Sequence, residues 1–215
     1  LRPILKATKK SMEVKDRILQ GAEELFFKYG IRSITMDDIA KHLGMSKKTI
    51  YQIFADKNEV VETLMEQSLK QDECEFKQIH SESKNVVEEV MQMMKHIGVM
   101  FSKVNPVIFY DLQKYHPNAW HKFKKFKHDF MAKMIEKSIE RGKREGYVRP
   151  DVNGKILSVM RIEQVEMALN PETYPPGEFK MVEVQLALLD HFMHGITTLK
   201  GHKLINKYKQ IIEEE

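Results

Sequence analysis

The stretch Ile34–Ala55, ITMDDIAKHLGMSKKTIYQIFA, decides the reading of this chain. Its spacing predicts two short helices joined by a tight turn at Gly44. Ile39, Ala40 and Leu43 form an apolar stripe before the turn, and Met45, Ile50 and Ile53 form another after it. A helix-turn-helix needs a small side chain at the helix crossing, a glycine in the turn and an apolar anchor under the second helix. Ala40, Gly44 and Ile50 stand at those places. Ser46, Lys47, Lys48, Thr49, Tyr51 and Gln52 are left free of that core or at its margin. Such donors suit phosphates and the base edges of a major groove. Two lysines and a threonine on a helix would by themselves be solvated surface. The apolar frame around them is what points to DNA.

Working outward, residues 1–10 read as a loose basic arm, and a helix is predicted from about Met12 to Tyr29. Ile18, Ala22, Leu25, Phe26 and Tyr29 fall on one face of it, and Gly30 ends it. Thr35 is placed to cap the next helix, with Asp37 and Asp38 in its first turn. Ser46 caps the second helix of the motif, expected to reach Phe54. Asp56 and Glu59 have capping-box spacing and open a long helix reaching about His80. The expected division is an arm and helix-turn-helix domain over 1–57 and a larger helical domain over 58–215.

The larger part also reads as helical, so the fold is predicted to be all-α with about nine or ten helices. Val87, Val90, Met91, Met94, Ile97 and Phe101 mark one amphipathic helix, and Asn105-Pro106 restarts the chain. Another helix follows Pro117, carrying Phe123, Phe126, Phe130 and Met134, with breaks predicted at Gly142, Gly146 and Pro150. The lysines of His121–Lys127 read as its solvated face. A further helix spans about Asn153 to Leu169. Beyond Gly177, Phe179, Val182, Leu186, Leu189, Met193 and Ile196 alternate in threes and fours, a coiled-coil-like seam. A second apolar line holds Met181, Val184, Leu188, Phe192, Gly195 and Leu199. A helix apolar on two faces must bury both, and a second copy of the chain is the economical cover. That line is the expected dimer interface, the alternative being a helix buried within one chain.

Charge is unevenly spread. Residues 1–60 hold 12 lysines and arginines against 8 carboxylates, whereas residues 61–215 hold 23 of each. The net charge of +4 therefore lies with the helix-turn-helix, as suits a DNA-reading end on a neutral body. No apolar run approaches the roughly 20 residues of a membrane span, no secretion signal is evident, and a cytoplasmic location without membrane association is expected. One cysteine, Cys74, allows no internal disulfide. His191 and His194 lack a third ligand, so no metal is expected, and no cofactor or catalytic motif recommends an enzyme.

These residues together resemble the TetR family of bacterial transcriptional regulators. The likeness runs from about Lys15 to Leu64. It rests on the helix ending Phe26-Phe27-Lys28-Tyr29-Gly30, the Ile34–Ala40 entry, Gly44-Met45-Ser46, the Thr49–Phe54 segment and Lys57. The resemblance implies a recognition helix presenting Lys47, Lys48, Thr49, Tyr51 and Gln52 to DNA, with Thr35 and Lys57 at phosphates beside helix N-termini. Lys48 stands where many members have glycine, and Gln52 where histidine is common. It also implies a homodimer on a double-stranded, palindromic operator, acting as a repressor released by a small, mostly apolar effector. Ligand-lining candidates are Met94, Phe101, Phe109, Tyr110, Trp120, Phe123 and Met160, with ordinary core packing as their alternative. A DNA-binding factor without small-molecule control is the competing reading.

Overall fold

The computed structural model describes residues 2–102 and 104–210, with side chains described from residue 13. Its helices are α1 (Arg2–Tyr29), α2 (Met36–Leu43), α3 (Lys47–Tyr51), α4 (Lys57–Glu82), α5 (Val86–Ser102), α6 (Val107–Tyr115), α7 (Pro117–Phe126), α8 (Ala132–Glu145), α9 (Gly154–Ala168), α10 (Met181–Ile196) and α11 (Leu199–Lys209). A π-helical turn, Lys127–Met131, joins α7 to α8 without a break. Among the described residues the only strand-like pairing is a single bridge between Val148 and Thr197. The all-α expectation holds.

The expected loose arm is instead part of α1, which reaches back to Arg2. Pro3 in a first helical turn removes a donor that has no helical partner there, and the residues after it propagate a helix readily. Tyr29, expected on the buried face, is 50% exposed.

The chain packs as two compact units, Leu1–Ser68 with Lys103–Lys122 and Leu69–Ser102 with Phe123–Glu215. In the first, Ile18, Leu19, Ala22 and Phe26 of α1 are buried with Ile39 and Ala40 of α2, Ile50 of α3, and Val60 and Val61 of α4. Gly21 lets α2 approach α1, since a Cβ there would stand 2.7 Å from Leu43 Cδ2. α6 belongs to this unit, contributing buried Ile108, Asp111 and Leu112. The expected boundary at residue 57 follows chain order, whereas packing adds the start of α4 and all of α6 to the head.

In the second unit, Val86, Val87, Ile139, Val148, Leu189, Phe192, Met193 and Ile196 form a core, with Met94 packed against it. Gly142 does not break the helix. It lies buried inside α8, where a Cβ would stand 2.4 Å from Val148 Cγ2, and Gly146 at φ +76° ends α8. Lys127, read as solvated, is fully buried and pairs with Glu166. α10 ends before Thr197, and Thr198 caps a separate α11 by accepting from Gly201 N–H, so Leu199 does not continue the second apolar line of α10. Buried Glu89 accepts from Ser138 at 2.5 Å and from Arg141 at 3.2 Å, and sits 2.9 Å from His80 Nδ1. This network ties α4, α5 and α8, which a lone buried carboxylate would oppose.

Candidate nucleic-acid interface

The helix-turn-helix is set by its caps. Thr35 and Asp38 form a reciprocal box: Thr35 N–H and Oγ1–H donate to Asp38 at 2.9 and 2.6 Å, and Thr35 Oγ1 accepts from Asp38 N–H at 3.2 Å. Those bonds, the hydroxyl's first, hold the Asp38 carboxyl below the usual carboxylate range. Gly44 ends α2 at φ +62°, a left-handed conformation that a side chain would strain. Ser46 then starts α3, its Oγ accepting from Thr49 N–H at 3.1 Å and lying 2.8 Å from Thr49 Oγ1.

α3 is shorter than expected, ending at Tyr51, with Gln52 as its C-cap. Five residues do not make a helix stable by itself. Ile50 (fully buried) and Phe54 (1% exposed) anchor it, each worth roughly 1.5–3 kcal/mol of burial. Phe54 turns inward because the next helix begins at once: Asp56 accepts from Glu59 N–H at 3.0 Å, and Glu59 reaches back to Ala55 N–H at 2.6 Å.

This places the expected DNA-facing residues as follows. Ser46, Lys47, Lys48, Tyr51 and Gln52 are exposed, Tyr51 by 49%, and Thr49 is half-buried. Lys47 is ion-paired with Asp37 across the turn, so its charge is partly spent within the motif. Lys48 appears in none of the ion pairs among the described residues and carries the least compensated charge on α3. Thr35 is exposed, but its hydroxyl is committed to Asp38, whose carboxylate already occupies the N-terminus of α2.

Lys57 corrects the sequence reading. Its Nζ donates to the carbonyls of Ile31 at 3.0 Å and Ile34 at 2.8 Å. Burial pushes its pKa down, and nearby Asp111 opposes that shift. A lysine holding the carbonyls of Ile31, Arg32 and Ile34 braces the loop before α2, and its charge is committed within the chain. Asp111, which the sequence reading missed, completes the brace. It is 3% exposed and accepts from Arg32 N–H at 2.8 Å. Its signal was present: Ile108, Asp111, Leu112 and Tyr115 share one face of α6, putting a carboxylate where an apolar residue is expected. His116, 2.8 Å from Asn58 Oδ1, lies in the same region, and burial and then Lys57 lower its pKa. The Arg32 guanidinium lies 4.8 Å over the Tyr115 ring.

The ligand candidates are not all of one kind. Phe109, Tyr110 and Trp120 belong to the first unit, and Met94, Phe101, Phe123 and Met160 to the second. Tyr110 is 39% exposed and accepts from Lys114 Nζ at 2.7 Å, so it faces outward. Met160, 41% exposed, also faces away from the interior of its unit. α9 carries Ile156, Val159, Met160 and Met167 along its outer side, and position 160 lies on that stripe by helical period. Within the second unit one cleft of about 480 Å³ is lined by His80, Lys133, Glu136, Lys137, Glu140, Arg141 and Arg144, none of them a ligand candidate.

The expected dimer line is likewise divided. Met181, Val184 and Phe192 are buried within the chain, Leu188 is half-buried, Gly195 is exposed and Leu199 is 81% exposed. The side chains of Val184 and Phe192 are thus used by the chain's own core and are not free for a second copy. Among the described residues there is no cluster of three metal-type ligands around His191 and His194 or elsewhere. No described helix is long and apolar enough to cross a membrane.

Comparison with known proteins agrees with this geometry. The sequence profile of bacterial regulatory proteins, tetR family, matches residues 18–64. An uncharacterised HTH-type transcriptional regulator of Bacillus subtilis, YvaF, is 30% identical over 186 residues, covering 84% of this chain and 94% of that protein. A TetR-family regulator of Agrobacterium tumefaciens shares the fold at a TM-score of 0.70 with 15% identity, over 87% of this chain and all of that one. FadR of Thermus thermophilus, described as a TetR-family repressor in complex with lauroyl-CoA, aligns at 0.55 with 19% identity, over 84% and 94% of the two chains. Profile, near-full-length relative and helix-turn-helix geometry agree: the chain is a DNA-binding transcriptional regulator and belongs to the tetR family of bacterial regulatory proteins.

Proposed function

We propose that the protein is a homodimeric repressor that binds a palindromic operator and is released from it by a small, mostly apolar ligand. The observation that carries the DNA half is the Gly44 turn, which anchors α3 by Ile50 and leaves Lys48, Tyr51 and Gln52 exposed. Lys48 supplies charge for the backbone, and the Gln52 amide suits bidentate recognition of adenine. Two copies are needed because one five-residue helix offers few contacts. The two helices must stand about 34 Å apart to enter successive major grooves.

Support for the dimer comes from α9. Ile156 is 63%, Val159 48%, Met160 41% and Met167 38% exposed, an apolar stripe with only Glu163 interrupting it. Such a contiguous patch is characteristic of a protein interface. Ala187, His191 and Gly195 on the exposed side of α10 are small or polar enough to lie against the same partner. We assign the dimer surface to this stripe with Leu188 and Gly195, rather than to Val184 and Phe192.

Support for ligand control comes from α6 in the head unit. Asp111 and Lys57 hold the loop before α2, so displacement of α6 would loosen the support of the helix-turn-helix. A ligand acts here only through its differential affinity for the DNA-competent and released states. The FadR comparison offers a precedent for an effector with an acyl chain in this fold. Selecting duplexes from a random library at moderate salt tests the DNA half. Recovery of a palindrome with half-sites about one helical turn apart is expected, and no enriched sequence would defeat the reading. A regulator without small-molecule control would bind that duplex equally in the presence of every compound tried.

A further inference from the structure

Among the described residues of the second unit, the buried charges are neutralised with one exception. Glu89 meets Arg141, His80 and Ser138. Lys127 meets Glu166. Arg161, on α9, is only 3% exposed, yet no carboxylate pairs with it among the described residues, and its Nη1 has no hydrogen-bond partner. One turn along the same face, the buried Oε1 of Gln164 also lacks a partner. Burial alone pushes the Arg161 pKa down, to about 10, so the guanidinium stays charged at neutral pH. A buried, unpaired guanidinium opposes folding, and proteins otherwise pair or expose it.

The face of α9 that holds Arg161 is the inner one. Leu157, Arg161, Gln164 and Ala168 recur at helical spacing there, about a quarter-turn round the helix from exposed Ile156, Met160 and Met167. Leu157 packs against the core cluster, and Gln185 of α10 donates to Val165 O at 3.1 Å, so α10 closes that part of α9. Arg161 is therefore enclosed by the chain's own helices and lies off the exposed stripe of α9.

We propose that Arg161 binds the carboxylate of an amphipathic organic acid inside the helical body, with the Gln164 amide as second contact. This rests on the reading that the body takes a ligand, and names its charged end. A guanidinium presents two parallel N–H groups that match a carboxylate. The Gln164 amide, turned by half a rotation, offers Nε2 as a donor to the same oxygens. A singly charged carboxylate leaves the pair neutral, whereas a dianionic phosphate would leave a net buried charge.

The test is binding of decanoate and 4-butylbenzoate to the full chain by calorimetry and thermal unfolding, against decanol, 4-butylbenzyl alcohol and decyl phosphate. The acids are expected to bind at least about tenfold more tightly than the matched alcohols, as a charge-assisted pair implies, and more tightly than the phosphate. Arg161→Met should abolish that preference and raise the melting temperature of the ligand-free protein, since it removes an unpaired charge. Arg161→Lys should retain a reduced preference. Equal binding of acids and alcohols, no binding of either acid, or unchanged acid preference in Arg161→Met would each overturn the proposal. So would a loss of stability in Arg161→Met. Release of operator DNA is measured separately. Acid binding through Arg161 without DNA release would leave the anion site standing and defeat ligand control. Release by the alcohols alone, with Arg161→Met behaving as wild type, would do the reverse.

Discussion

At the scale of the residue, two lysines of the head stand in opposite environments. Lys57 bonds Ile31 and Ile34 carbonyls, while Lys48 has no such partner and is exposed. Lys57→Met is expected to destabilise the protein by about 1.5–3 kcal/mol, the range for hydrogen bonds to a charged group. It should leave the salt dependence of operator binding unchanged. Lys48→Ala should do the converse, reducing the slope of log affinity against log salt by about one if it meets a phosphate. Thermal unfolding and titrations at several salt concentrations separate the two. Gln52→Ala should relax base preference at one operator position, at about 1–3 kcal/mol, without changing stability. The exposure of Gln52 and Lys48 was legible in the sequence, because residues off the apolar frame of a short helix need no tertiary information. The role of Lys57 was not, since a helix start offers a lysine to either a phosphate or a carbonyl, and only packing decides.

Helices show the same division. Caps are local, and Thr35, Ser46 and Asp56 cap as their spacing predicts, while Asn153 caps a helix expected to start there. Glycine is ambiguous because one residue type serves turns and tight packing. Gly44 and Gly146 have positive φ and end helices, whereas Gly142 lies in α8 against Val148 and Val86. Gly44→Ala is expected to cost about 1–2 kcal/mol through the left-handed backbone alone. Gly142→Ala, although it improves helix propensity, should destabilise by a comparable or larger amount because the added methyl meets packed side chains. Denaturant unfolding of both variants checks this. A stabilised Gly142→Ala protein would show that the contact relaxes freely.

For the whole molecule, assembly and pH give two further expectations. Val159→Glu with Met167→Glu puts charge on the α9 stripe. It should yield monomers in sedimentation and a loss of operator binding, with the helical content kept. Asp72 titrates unusually. Burial raises its pKa to about 6, against the pull of His96, whose Nε2 lies 3.8 Å away, and Glu75 adds to the rise. From about pH 4 to pH 6 the unfolded chain has released this proton while the folded chain keeps it. Stability from this group therefore falls as pH rises through that window. Asp72→Asn should flatten that part of the curve of melting temperature against pH.

Periodicity and local hydrogen bonding, both written in the amino-acid order, suffice for the helix-turn-helix, the caps, the all-α class and the exposed residues of α3. Tertiary structure alone decided that α6 joins the head, that Asp111 and Lys57 brace it, that Val184 and Phe192 are core while α9 bears the open stripe, and that Arg161 is buried without a partner. A helix with apolar residues on several faces does not encode which face meets which neighbour. A charged side chain in such a helix does not encode whether its counter-charge lies in the chain, in a second copy or in a ligand.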